Sequence, residues 1–192
     1  MNQQRYTLPA IALHWVQAIV VLWLLWLGWS MTDLPKGAER SAAYNLHKSL
    51  GLLALLLVSL RLIWRRRNPA PRPVIGGWEA KLATATHHAL YLFLFLAPLA
   101  GYLASSFTPY AIKFFGFELP KAGWPDESLN SIFKLLHVVF VWGGAGLIAL
   151  HIAGAVKHVL QRDGTLQRML PGKLFKNRTT APRWSSLLCL KL

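Results

Sequence analysis

The chain has 192 residues, 54% of them hydrophobic, with nine tryptophans and a single cysteine. One cysteine, Cys189, excludes a disulfide framework, and apolar residues gathered into long blocks exclude an ordinary water-soluble domain. The formal net charge of +14 is confined to particular connections, so it reads as membrane orientation and attraction to anionic lipid rather than as a nucleic-acid surface.

Four blocks reach the roughly 20 residues that a helix needs to cross a bilayer core: about 9–31, 46–64, 83–106 and 132–160. The first follows Arg5 and runs through Ile19 to Trp29 without a small-residue cleavage pattern, so a retained helix is expected rather than a signal peptide. The next connection carries Asp33, Lys36, Glu39 and Arg40, which nearly balance. After the second block come Arg65, Arg66, Arg67, Arg72 and Lys81, with NPAPRP at 68–73 as a stiff turn that stops the helix. Between the third and fourth blocks, residues 107–131 mix Phe107, Tyr110, Phe114, Phe115, Phe117 and Trp124 with prolines and balanced charges, a composition suited to the membrane interface. Lys157, Arg162, Arg168, Lys173, Lys176, Arg178, Arg183 and Lys191 stand at or beyond the end of the fourth block. The positive-inside rule then puts both termini and the 65–82 loop in the cytoplasm. The expected fold is all-α, an integral membrane four-helix bundle formed by residues 1–175, with 176–192 as a basic, disordered tail.

Histidines punctuate these blocks at matching depths. On an ideal helix His137 and His151 are ~21 Å apart along the axis and ~40° apart around it. His14 lies ~13 Å past Arg5, and His151 ~16 Å before Arg162, so these two share an inner level. His47 and His137 open their blocks on the outer side and share an outer level. Two imidazoles per level fit the axial positions of haem iron better than zinc, which usually takes three or four protein ligands. No carboxylate lies inside any block, which also counts against a histidine-lined metal transporter. With no C-x-x-C-H motif, both haems would be b-type, held without covalent bonds. Gly51, Gly143, Gly144, Gly146 and Gly154 lie near the ligands and either admit a flat macrocycle or serve close helix packing. His87 and His158, near the cytoplasmic side, either exchange protons there or are simply solvated.

Five segments carry a resemblance: ALHW at 12–15, NLHKSLG at 45–51, HHALYLFLFLAPLAGY at 87–102, FKLLH at 133–137, and ALHIAGAVKH at 149–158 followed by DGTLQRMLP. The pattern resembles the bacterial cytochrome b561 family, four-helix proteins of the inner membrane with two b haems. The resemblance implies His14 and His151 as ligands of an inner haem iron, His47 and His137 as ligands of an outer one, and electron exchange with ubiquinone. It also extends to a member that oxidises superoxide at the outer face. For such an activity Lys48 and Lys134, beside the outer ligands, would draw in the anion, unless they only reach for the interface. The alternative is a haem b relay and anchor subunit of a larger quinone-linked dehydrogenase or hydrogenase, docking a redox protein.

Overall fold

A computed structural model describes residues 5–71 and 76–170. Arg72, Pro73 and everything beyond residue 170, including the expected tail, lie outside them. The chain forms four long helices: α1 (Leu8–Asp33), α2 (Ala38–Arg67), α3 (Gly77–Ser106) and α4 (Glu127–Gln161). A short β-hairpin joins α3 to α4, with β1 at Ile112–Phe114 and β2 at Phe117–Leu119, and a 3₁₀ turn follows α4 at Leu166–Met169.

Each helix runs past its apolar block because its ends are built from residues that favour helix termini. Pro9 sits in the first turn of α1, where the missing N–H would be unpaired anyway. Glu39 in the first turn of α2 and Arg65, Arg66 and Arg67 in its last turn complement the helix dipole. Asp126 caps α4, its side chain accepting the Leu129 N–H at 2.9 Å. By length and composition all four helices can cross a membrane.

The helices pack in sequence, α1 on α2, α2 on α3 and α3 on α4. A small core of Ile11, Leu27, Ala54, Leu57, Val58, Ala100 and Ala104 lies between them. Buried Gln17 donates to the Ala54 carbonyl at 3.2 Å and so ties α1 to α2. Trp23, Trp26, Trp29 and Trp142 turn outward and are exposed. In water such a surface would drive aggregation, whereas in a bilayer it is the lipid-facing side.

At one end of the bundle lies the hairpin, a feature the sequence reading did not anticipate, since three-residue strands carry too little alternation to be recognised. Its register is Ile112↔Leu119, Lys113↔Glu118 and Phe114↔Phe117. The two turn residues, Phe115 and Gly116, both have positive φ, 47° and 99°, as a tight hairpin of this length requires. Ile112 is buried against α2, and Ser49 fastens the turn: its hydroxyl accepts the Phe115 N–H at 3.0 Å and lies 3.1 Å from the Lys113 carbonyl. The aromatic residues expected at the interface divide between two roles. Tyr110, Phe115, Phe117 and Trp124 are exposed, while Phe107 stacks on Phe133 at 5.6 Å.

At the other end, Trp64 Nε1 donates to Thr7 Oγ1 at 2.9 Å and Trp15 Nε1 to the Met169 carbonyl at 2.8 Å. The segment after α4 is therefore folded back onto the start of α1.

Replacing Ser49 with Ala leaves the Phe115 N–H without its acceptor, at about 1–3 kcal/mol. Hydrogen exchange should then accelerate across 112–119 and stay unchanged in the helices; unchanged exchange in the hairpin would show that Ser49 does not hold it.

Candidate functional site

A single interval recurs in all four helices. His14 and Gly28 on α1, His47 and Arg61 on α2, His87 and Gly101 on α3, and His137 and His151 on α4 are each 14 residues apart, ~21 Å along a helix axis. Because neighbouring helices are antiparallel, these eight residues form two levels. One, at the hairpin end and expected from the charge bias to be the outer, holds Gly28, His47, Gly101 and His137. The inner one, at the arginine-rich end, holds His14, Arg61, His87 and His151.

At the outer level the rings of His47 and His137 face each other with centroids 6.2 Å apart and planes at 89°. His137 Nδ1 donates to the Ala97 carbonyl at 2.7 Å. Since a carbonyl only accepts, Nδ1 carries the proton and Nε2 keeps its lone pair for a metal. Gly101 makes this bond possible, because a Cβ there would lie 3.0 Å from His137 Nδ1. Gly28 leaves room for the His47 ring in the same way, since a Cβ there would lie 3.1 Å from Cε1. His47 Nδ1 is buried and has no hydrogen-bond partner among the described residues. Lys48 is partly buried and Lys134 exposed; neither makes an ion pair among the described residues, whereas Lys113 faces Glu118 across the hairpin at 4.0 Å.

At the inner level His14 and His151 are also 6.2 Å apart, with planes at 71°. Here the companions of the pair are not glycines. His87 brings its ring to 5.2 Å from that of His151, and Arg61 donates from a terminal guanidinium nitrogen to His14 Nδ1 at 2.9 Å while lying over the Tyr91 ring at 5.1 Å. His87 is thus drawn to His151 and not to His158, with which the sequence reading grouped it. His158 Nδ1 is 2.6 Å from Asp163 Oδ2, just past the end of α4. Slight burial would raise the Asp163 carboxyl, but hydrogen bonds from Thr165 and His158 outweigh it and hold the group below its ordinary value.

The two 6.2 Å separations can be tested against a metal. An ion bound at about 2 Å by one nitrogen of each ring, with roughly 1 Å more to each ring centre, sets the centroids about 6 Å apart. His47 with His137 and His14 with His151 meet this condition, and His87 with His151 is too close for it. Among the described residues no three His, Cys, Asp or Glu side chains cluster to hold a metal ion, and each level offers one pair of imidazoles at this separation. Both pairs also join α4 to α1 or α2, whereas among the described residues α4 packs most closely on α3. An imidazole pair reaching across such a gap suits a flat group bound edge-on between helices. Gly51 and Gly154 fit the same picture, since a Cβ on either would meet nothing within 4 Å. Gly143 and Gly144 do not: a Cβ on Gly143 would strike Phe93 of α3 at 2.6 Å, and one on Gly144 would touch it at 3.5 Å. Those two glycines serve close packing of α3 on α4. Gly146 is exposed with open space beside it.

Gly28, Gly101 and Arg61 were missed in the sequence, although the 14-residue interval from His14, His87 and His47 was there to find them. A Gly101→Val substitution should drive the His137 ring from the Ala97 carbonyl and lower the haem content expected from the sequence, while Gly146→Val should leave it intact. Equal haem in both variants, measured by pyridine haemochrome, would show that the outer ring does not depend on Gly101.

A family model described as "Prokaryotic cytochrome b561" matches residues 5–172. Cytochrome b561 homolog 2 of Escherichia coli (strain K12) is 35% identical over 173 residues, covering 87% of this chain and 92% of that protein. Cytochrome b561 homolog 1 of the same organism is 30% identical over 178 residues, 87% of this chain and 97% of that protein. A protein of Yersinia pestis named probable superoxide oxidase CybB is 28% identical over 180 residues, 88% of this chain and 98% of that protein. With four apolar helices and imidazoles set at metal-binding separation, the chain belongs to the prokaryotic cytochrome b561 family, membrane electron-transfer proteins that carry haem b.

Proposed function

We propose that this protein is a two-haem cytochrome of the bacterial inner membrane that takes electrons one at a time from superoxide at its outer face and delivers them to ubiquinone near its inner face. The observation that carries this reading is the pair of facing imidazoles at each of two levels, both at 6.2 Å. His47 and His137 hold the outer haem, and His14 and His151 the inner one. Haem bound at each level supplies one-electron chemistry. The name of the Yersinia pestis relative, probable superoxide oxidase, supports the choice of donor.

The chain's own residues then divide the work between the two faces. Two superoxide anions give up one electron each and leave as two molecules of dioxygen; one ubiquinone takes up two electrons and two protons and becomes ubiquinol. Lys48 and Lys134, next to and one turn from the outer ligands, draw the anion in by charge, an effect that acts on encounter rate. At the inner face His158, held by Asp163 at 2.6 Å, is set to hand protons to the quinone, and His87 lies beside the inner pair to assist. Arg65, Arg66 and Arg67 close α2 while Lys157 and Arg162 close α4, and this bias supports cytoplasmic termini.

A superoxide pulse applied to the purified protein, followed at the haem bands with ubiquinone present or absent, tests the reading. Reduction should be second-order, with rapid reoxidation when quinone is added. Lys134→Gln should slow it several-fold at low salt. The difference should vanish as the Debye length falls from about 30 Å at 0.01 M to about 3 Å at 1 M. No reduction of the wild type by superoxide would leave the relay-subunit role as the better account.

A further inference from the structure

The two levels differ in one respect that ligation alone does not explain. Each outer ligand is backed by a glycine, whereas the inner His14 is backed by a permanent cation, Arg61. Ion pairs among the described residues join Lys113 to Glu118, Lys157 to Glu79 and His158 to Asp163; Arg61 has no carboxylate partner there. Its contacts are the His14 nitrogen and the Tyr91 ring, and neither neutralises a guanidinium. A charge in a membrane-spanning helix is expensive and in general is kept because it faces a partner.

The hydrogen bond to His14 identifies what kind of partner is wanted. Arginine can only donate, so His14 Nδ1 accepts. A histidine that offers Nε2 to a metal carries its proton on Nδ1, and Arg61 would then meet it donor against donor. Once His14 is a ligand, Arg61 must turn to another acceptor. A b-type haem brings suitable ones in the carboxylates of its propionate side chains, which the planar guanidinium matches in shape and charge.

We propose that Arg61 is the counter-ion of a propionate carboxylate of the inner haem, and that its charge raises the reduction potential of that haem above the outer one. This rests on the two-haem reading. A cation close to the haem favours the reduced form, because reduction adds negative charge. The outer level is tuned in the opposite direction: the His137 bond to the Ala97 carbonyl makes that ligand more basic and favours oxidised iron. Together the two effects bias electrons inward.

Spectroelectrochemical titration of the purified holoprotein tests this, with the inner couple assigned as the one lost in His151→Ala. In Arg61→Gln the reduced-to-oxidised ratio of the inner haem at a given potential should fall about tenfold, equivalent to 59 mV for one electron. Arg61→Lys should recover most of that, and the outer couple should not move. The second measurement titrates the full chain, produced in haem-deficient cells, with haem or with its dimethyl ester. Wild type should prefer the diacid at the inner site about tenfold, and Arg61→Gln should lose most of the preference. Two haems per chain with an unmoved inner couple in Arg61→Gln, or an ester bound as tightly as the diacid by wild type, would overturn the proposal alone. A wild type without the inner haem would overturn the two-haem reading and this proposal with it.

Discussion

The arrangement depends on imidazole pairs that reach between helices whose backbones pack on each other only sparsely among the described residues. α4 lies closely against α3, yet both of its inward histidines meet partners from α1 and α2. Direct packing would let side chains interdigitate at the distances usual for helix pairs, and two small polar rings would then be unwelcome in an apolar contact. Held 6.2 Å apart at both levels, the rings instead have the separation that a shared metal demands. The small core of the bundle is concentrated between α1, α2 and α3, so a group binding between the helices would add to its stability by linkage.

Around that constraint the two levels are built to different ends. Glycines allow the outer rings to sit hard against neighbouring helices and let one of them reach a backbone carbonyl. At the inner level the same positions of the 14-residue ladder carry Arg61 and His87, so polarity and charge accumulate there. The hairpin fastened by Ser49 closes the outer end near His47, and the returning segment bound by Trp15 closes the inner end near His14. The two ends therefore differ in character, a tightly walled level at the hairpin end and a polar, charged level at the other.

How much of this was legible beforehand follows from the physics of each signal. Membrane helices announce themselves by length and apolarity, and the four histidines could be paired because a helix turns residue count into depth. Positions that act through small size or through a partner on another helix gave no such cue. Gly143 and Gly144 stand out as a doublet but pack against Phe93, while the single glycines Gly28 and Gly101 are the ones against the rings of His47 and His137. Arg61 was overlooked beside Arg65, Arg66 and Arg67, because charge in sequence says nothing of which cation turns inward. The hairpin was hidden by strands of three residues each.

Electron paramagnetic resonance of the oxidised protein tests the central claim most directly. Ring planes at 89° and 71° predict two low-spin ferric signals, both of the strongly anisotropic type that near-perpendicular axial imidazoles produce. His137→Ala should abolish one of them and His151→Ala the other. A high-spin signal from either haem of the wild type, or a single low-spin species in a chain holding two haems with parallel ligand planes, would contradict the account.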